Sequence, residues 1–523
     1  MCVCLQLARS ASDGARTPRR WRSGLVYLAL LALCYLLFFH RLAARDLWSS
    51  HEARAGMDAQ TILDDDTWGL PHLYDGRLEL QKPPLYYWLV AAIAHLRGGT
   101  VDAWAVRLPA AGAASFCVLA VLLGLGRGQR RTLAGLLAAA MLATAVHFTW
   151  LARIGRIDMP LTLSVTLALG GFYLARGRDR WSRLSLLSLA YLAIAAGVLL
   201  KGPIGLVLPA LVMIAHIALE RGLPSPKRWR DWMNSLGELG VWWGIPLVVV
   251  LTLPWFLWVN LHTHGEFFHV FLWHHNIERG LGGSRLRANP WWFYLPQFVG
   301  DFLPWSLLLP PAVWWVHRRG YWHGDAEARF GFTWFISVLL VLSCARFKRA
   351  DYLLPAYPGA ALFLGCIGER WLQGLASKPR RVALRCAATL TGVMALLWVV
   401  RVEWQLPANE PYRDYQAFAA QVRNLAPCPE EIIFFRTEAH PLAFHLGRPL
   451  AIVVQWGELN ARLLQPGTHY IVTPPQYAKE CAQYLQNVRL ENVVRNTDLA
   501  NGEHEHPLVL LRAPGSAHLA GER

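Results

Sequence analysis

Apolar runs separated by short polar turns dominate the chain. They lie at about 24–40, 105–125, 132–150, 160–176, 183–200, 203–219, 238–260, 295–316, 330–345, 352–369 and 382–402. Each approaches the ~20 residues needed to cross ~30 Å of hydrocarbon as a helix. The pattern predicts an α-helical polytopic membrane protein of about 11 to 13 spans. One further run, Leu85–Leu96, reaches only about 18 Å as a helix. It follows Lys82-Pro83-Pro84 and reads as a helix lying at the membrane interface, with Tyr86, Tyr87 and Trp88 suited to the headgroup layer. After residue 404 the pattern changes. Short strand-like runs at Ile432–Phe435, Leu450–Val454, His469–Val472 and Leu508–Leu511 alternate with helix-like segments such as Tyr412–Leu425, which predicts a small α/β unit.

Charge then orients the spans. The tail 1–22 carries Arg9, Arg16, Arg19, Arg20 and Arg22 against Asp13, and further basic turns hold Arg127/Arg130/Arg131, Arg176/Arg178/Arg180, Arg221/Lys227/Arg228/Arg230, Arg318/Arg319 and Lys378/Arg380/Arg381. Basic turns stay cytoplasmic. These turns alternate consistently only if Leu85–Leu96 does not span. The expected organisation is a cytoplasmic basic tail (1–22), a transmembrane catalytic domain (23–404, with 41–104 as the first outer loop) and an extracytoplasmic α/β domain (405–523). The first apolar run has no convincing small-residue cleavage site and reads as a retained span.

Composition adds two points. The 523 residues are 54% hydrophobic and carry a net charge of +16. The positive charge sits in the short turns, which argues against nucleic acid as a partner. The nine cysteines show no metal-type spacing; Cys428 and Cys481 fall in the polar C-terminal region, where one disulfide is an open alternative.

Under this orientation the outer loops collect ionisable groups. "SSHEARAG" holds His51, Glu52 and Arg54; "LQKPP" holds Lys82; "ARIGRIDMP" holds Arg153, Arg156 and Asp158; "LLKGPIG" holds Lys201. "HTHGEFFHVFLWHHNIERG" holds histidines, Glu266, Glu278 and Arg279; "CARFKRADYLLP" holds Arg346, Lys348, Arg349 and Asp351. Ionisable groups beside hydrocarbon are costly and mark functional sites. Cations with carboxylates suit an anionic lipid headgroup: the cations hold phosphate and a carboxylate handles a proton. The same residues also admit plain readings. Asp158 beside two arginines fits an ion pair, Lys82 fits a snorkelling interfacial lysine, and the Arg346–Arg349 run fits a lipid anchor.

Read in order, "HEARAG…GLPHLYDGRLELQKPPLYYWL", "RLPAA", "ARIGRIDMPLTL", "LLKGPIGLVLP", "PWFLWV…EFFHVFLWHHNIER", "PWWFYLPQFVGDFLPWSLLLP" and "SCARFKRADYLLPAYP" resemble the bacterial protein-O-mannosyltransferase-related glycosyltransferases. This GT-C group includes the lipid A aminoarabinose transferase. The resemblance covers about 24–402 and implies inverting transfer of a sugar from a polyprenyl-phosphate carrier to an acceptor (lipid A, glycan or protein) outside the cytoplasmic membrane. By resemblance Glu52 is the catalytic carboxylate of a DE-type motif whose neighbour here is His51, accepting the acceptor's proton or orienting the acceptor, and Asp158 is the acid of the second outer loop, orienting the sugar or a cationic neighbour. Lys82 and Arg279 are the first choices for phosphate, followed by Lys201, Arg346 and Lys348, with Arg54 beside them. No cofactor is required. A divalent metal remains open, because Gln81 and His275-Asn276 stand where the aminoarabinose transferase has an acid and a Glu-His pair. Two alternatives stay in play: a lipid-linked sugar flippase or transporter, disfavoured because the polar groups gather at one face, and a non-catalytic lipid-binding assembly protein.

Overall fold

The computed structural model describes residues 17–126, 131–278, 280, 288–428, 432–447, 450–485, 488–499 and 502–514. Arg279, with Arg127 and Arg130, lies outside the described residues.

Helices occupy every expected span. Among the described residues eight are long and apolar enough to cross a membrane, and Thr132–Thr144 with Val146–Ala152, a pair bent by 68°, makes nine when counted as one span. The remaining two are the shorter Gly24–Phe39 and a broken stretch of Tyr294–Asp301 and Leu309–Arg319. The bend falls at Ala145, whose ψ of 131° is extended; the Thr149 hydroxyl donates to the Ala143 carbonyl at 2.8 Å, filling a gap the bend leaves in the helical ladder. Small residues let the spans pack closely, the usual device where lipid tails remove any hydrophobic drive between helices. Gly205 backs onto Gly197, where an added Cβ would lie 2.3 Å from backbone, and Gly331 meets Gly359 in the same way at 2.9 Å.

At the basic end, Arg131 gathers Asp325 (2.7 Å), Glu327 (3.1 Å) and Glu369 (3.0 Å), tying three helical hairpins together. The first interhelical loop, at the opposite end, contains two helices. Ser49 caps Ser50–Asp65, and Leu85–Leu96 packs against it through Tyr86, Tyr87, Val90, Ala91 and Ala94. This corrects one expectation. Helical spacing turns Tyr86 and Tyr87 inward, where the Tyr86 hydroxyl donates to the Val106 carbonyl at 2.7 Å; of the three aromatics only Trp88 keeps partial exposure.

The C-terminal region forms one five-stranded sheet in the order β2-β1-β3-β5-β4, from β1 (Ile432–Phe435), β2 (Ala451–Val453), β3 (His469–Thr473), β4 (Glu491–Arg495) and β5 (Val509–Ala513). β1 is parallel to both β2 and β3; β5 is antiparallel to β3 and β4. Alternation along β1 sends Ile432 and Phe434 to one apolar layer and Ile433 and Phe435 to the other. β4 escaped the sequence reading because its face is half polar (Glu491, Asn492, Arg495). Cys428 and Cys481 are both free: Cys481 is buried in the sheet's apolar layer and Cys428 is exposed.

The layer of Ile432 and Phe434 docks on the first interhelical loop, through Met57, Leu73 and Tyr74. Phe444 lies against Gly56, where a Cβ would come within 2.7 Å of its ring. His445 Nε2 reaches Asp46 Oδ1 at 2.7 Å, the Tyr415 N–H donates to Asp46 Oδ2 at 3.1 Å, and Arg77 pairs with Glu438 at 2.8 Å.

Candidate active site

Two adjacent cavities with a shared wall lie where the first loop meets the helix ends. A polar lobe of about 130 Å³ is lined by His51, Arg54, Lys82, Arg156, Asp158, Lys201 and Arg349. A mainly apolar lobe of about 210 Å³ is lined by Ile157, Leu161, Ile204, Leu208, Phe271 and Leu342. Both lobes share Gln81, Lys82, Ile157, Lys201, Phe347 and Tyr352, so the two lysines stand at the shared wall.

Helix phase decides which loop residues face the polar lobe. His51, Arg54 and Ala55 follow the i, i+3, i+4 rule and line it. Glu52 is turned away and fully buried behind the wall. Arg107 donates to it at 2.7 Å, Arg45 at 3.1 and 3.3 Å, and the Gly155 N–H at 3.0 Å. Burial alone would raise this carboxyl, but the two guanidinium groups overcome that and hold it at about 2. Arg107 also donates to the carbonyls of Leu42, Arg45 and Asp46, at 2.9, 2.9 and 2.6 Å. Glu52 is therefore the core of an ion cluster that pins the loop's start to Gly155. It lines neither lobe, unlike its neighbour His51.

Within the polar lobe most charges are matched. Lys201 meets Asp158 at 2.5 Å and sits 4.1 Å from the centre of the Tyr352 ring. Arg156 reaches Asp158 at 3.3 Å and Asp351 at 2.7 Å; Asp351 also takes Arg349 at 3.3 Å and His147 at 3.4 Å. Arg54 is held by Glu79 at 2.6 Å and Gln81 at 3.3 Å. Lys82 differs. It makes no hydrogen bond or ion pair among the described residues, and burial, opposed by Glu79 and reinforced by Arg54, lowers its pKa to about 8. His51 is lowered to about 3 by burial and by Lys82, Arg156 and Arg349, so its imidazole is neutral at pH 7. An unpaired ammonium in a cation-rich pocket is an anion site. The apolar lobe beside it suits a tail attached to that anion.

Of the residues expected from sequence, Lys82, Arg54, Asp158 and Lys201 converge here. Lys348 does not: it is buried and its Nζ donates to the carbonyls of Asn289 (3.0 Å) and Ala345, fastening a loop. Arg346 is exposed and lies off both lobes. Arg349, Arg156 and His51 line the lobe instead, and the i, i+3 relation of His51 to Arg54 was the available signal. A metal fares poorly on these residues. Among the described residues no three His, Cys, Asp or Glu side chains converge as ligands, Gln81 accepts from Arg54, and the Asn276 amide donates to the Phe271 carbonyl at 2.7 Å. No step below runs through a metal.

The helical membrane fold thus places a cation-rich polar lobe beside an apolar one, an arrangement that comparison with known proteins sets among its relatives. Residues 23–270 match the dolichyl-phosphate-mannose-protein mannosyltransferase family. The undecaprenyl phosphate-alpha-4-amino-4-deoxy-L-arabinose arabinosyl transferase of Pseudomonas aeruginosa (strain LESB58) is 30% identical over 395 residues, covering 75% of this chain and 67% of the relative. Its namesake from Pseudomonas savastanoi pv. phaseolicola is 28% identical over 394 residues, covering 75% and 70%. Three other relatives are covered over 65%, 62% and 57% of their own length, so against these the chain spans less than two thirds. ArnT from Cupriavidus metallidurans bound to undecaprenyl phosphate shares the fold with a TM-score of 0.77 at 19% identity, covering 94% of this chain and 98% of that one. Archaeal oligosaccharyltransferase AglB from Archaeoglobus fulgidus shares it at 0.55 and 13% identity, covering 94% and 72%. The chain belongs to the same family as these undecaprenyl phosphate-alpha-4-amino-4-deoxy-L-arabinose arabinosyl transferases, and its residues 23–270 match the dolichyl-phosphate-mannose-protein mannosyltransferase family model.

Proposed function

We propose that this protein transfers a sugar from a polyprenyl-phosphate carrier to an acceptor at the extracytoplasmic face of a bacterial inner membrane. The observation that carries the reading is the unpaired Lys82 at the shared wall of two cavities, one polar and one apolar. The phosphate of the donor sits against Lys82, with Arg349 and Lys201 in reach of its oxygens, and the isoprenoid runs along Leu161, Leu208 and Phe271. The sugar fills the polar lobe. The acceptor O–H attacks C1 from the face opposite the phosphate. A C1–O bond forms to the acceptor, the C1–O bond to phosphate breaks, and the polyprenyl phosphate leaves with its charge held by the cations. Asp158 faces the lobe and takes the acceptor's proton, with Lys201 and Arg156 orienting its carboxylate. The relatives named as arabinosyl transferases support an undecaprenyl phosphate-linked 4-amino-4-deoxy-L-arabinose as the first donor to try.

The test is turnover of that donor by purified protein in lipid nanodiscs. Wild type should release undecaprenyl phosphate with inversion at C1. Asp158→Asn should lose 10²-fold or more, the scale of a general base. Retention of configuration, or unchanged turnover in Asp158→Asn, overturns the mechanism.

A further inference from the structure

Behind the polar lobe lies a buried acid that the transfer mechanism does not use. His51, Arg54 and Ala55 line the lobe, and Asp58 continues the same stripe one turn beyond Arg54 on the helix Ser50–Asp65. It is fully buried. Neither of its carboxyl oxygens has a hydrogen-bond partner among the described residues. An ionised carboxylate in that state is costly, because burial removes its water and no donor replaces it.

The nearby donors are already taken. Arg54 turns to one Glu79 oxygen at 2.6 Å and to the Gln81 side chain at 3.3 Å, and the Gln81 N–H donates to the other Glu79 oxygen at 2.8 Å. Each oxygen of the buried Glu79 thus has its own donor. Glu79 is also the side chain that the Asp58 carboxyl meets. Two carboxylates in contact repel, and two bare acceptors cannot bond. One proton resolves both problems. It belongs on Asp58, whose oxygens lack donors, and there it makes Asp58 a hydrogen-bond donor to Glu79. Burial, and after it Glu79, push the Asp58 carboxyl well above its usual range, against Arg54 and Lys82. The other titratable neighbours supply no counter-charge. His72 is paired with Asp65 at 3.0 Å. His440, on the C-terminal helix packed against this one, is lowered to about 4 by burial and then by Arg54, and is neutral at pH 7. Burial, Glu79 and Asp58 raise the Tyr87 phenol, which stays uncharged.

We propose that Asp58 carries a proton in the working enzyme and that this neutral carboxyl keeps Lys82 free for the phosphate of the lipid carrier. The inference rests on the sugar-transfer reading. With Asp58 neutral, Arg54 is matched by Glu79 and Lys82 is left as the surplus cation. With Asp58 ionised, a second carboxylate would stand among the same groups, and its attraction would draw the Lys82 ammonium back from the wall the two lobes share. The proton also fixes the Glu79 carboxylate. Through Arg54 and the Gln81 N–H, Glu79 in turn holds the segment Gln81-Lys82-Pro83 that aims the lysine. Asp58 is therefore a positioning residue. It acts on the phosphate through Glu79 and Lys82 and lines neither lobe.

The test uses the full chain in nanodiscs, with undecaprenyl phosphate as the probe. Infrared difference spectra between wild type and Asp58→Asn at pH 7 should show the C=O band of a protonated carboxyl, present only in wild type. Asp58→Leu is neutral but has no donor for Glu79. It should bind undecaprenyl phosphate about tenfold more weakly, the scale of a lost hydrogen bond to a charged group. Asp58→Asn keeps a neutral N–H donor in the same place, so it should bind within about twofold of wild type and melt no lower. The band and Asp58→Asn decide the matter even where Asp58→Leu does not fold. A missing carboxyl band, an Asp58→Asn that binds as weakly as Asp58→Leu, or an Asp58→Leu that binds like wild type overturns the inference. Wild type that binds undecaprenyl phosphate but transfers no sugar from a polyprenyl-phosphate donor refutes the sugar-transfer reading alone.

Discussion

Replacing Lys82 with methionine removes a cation and keeps most of the side chain's volume. In the folded protein this ammonium has its pKa lowered from 10.5 to about 8, chiefly by burial. At about 1.4 kcal/mol per pH unit, keeping it charged at neutral pH costs the fold about 3 kcal/mol relative to the unfolded chain. The sign follows directly: the cost is fully present below about 8 and fades as pH rises toward 10.5. Lys82→Met should therefore be as stable as wild type or more so, by thermal unfolding in detergent at pH 7. Function should move the other way. A hydrogen bond to a charged group contributes about 1.5–3 kcal/mol, so the variant should bind undecaprenyl phosphate about 10- to 150-fold more weakly. Saturating undecaprenyl phosphate at 100 times Kd should stabilise wild type by about 2.7 kcal/mol, and at the same concentration the variant much less. In wild type, kcat/KM for donor should fall as pH rises through about 8, where the free enzyme's Lys82 loses its proton, and Lys82→Met should lack that limb. A variant that loses stability and ligand protection together would refute the reasoning, because Lys82 would then be a structural cation.

Three further outcomes follow. Glu52→Gln leaves Arg45 and Arg107 buried without their carboxylate, so it should destabilise by about 3–5 kcal/mol and lower the yield of folded protein; a fully stable variant defective only in turnover would instead make Glu52 the catalyst. His445→Ala removes a partner that helps lower the Asp46 carboxyl against the opposing effect of burial. Because a lowered carboxyl stabilises above its unfolded pKa and loses that contribution as pH falls, wild type should lose more stability than His445→Ala between about pH 5 and 3, read by thermal unfolding. Lys348→Met should weaken the loop held through Asn289 and Ala345 while leaving donor affinity within twofold, which separates it from Lys82 in the same binding assay.

Much of this architecture was legible in the residues. Arginine-rich turns fix the parity of the spans, and the shortness of Leu85–Leu96 sets that helix apart, because charge placement and run length act locally. The inward turn of Tyr86 and Tyr87 was not legible, since it depends on the neighbouring helix Ser50–Asp65. The same limit explains the adjacent pair His51 and Glu52. One helical step of about 100° separates a cavity residue from a buried ion cluster, and only tertiary packing sets that phase. Lys348 and Arg349 divide in the same way: the first is taken up by backbone carbonyls and the second faces the lobe. The unpaired state of Lys82 was invisible in sequence for a related reason, because Glu79, two helices and the 347–352 segment must all be placed before it is clear that none of them meets it.

The most direct test of the central claim is a cryo-EM structure of the protein in nanodiscs with undecaprenyl phosphate. The account predicts phosphate density within hydrogen-bond distance of Lys82 Nζ and tail density along Leu161, Leu208 and Phe271. Phosphate density at the opposite end of the bundle, beside Arg131, or a tail that never enters the apolar lobe, would contradict it.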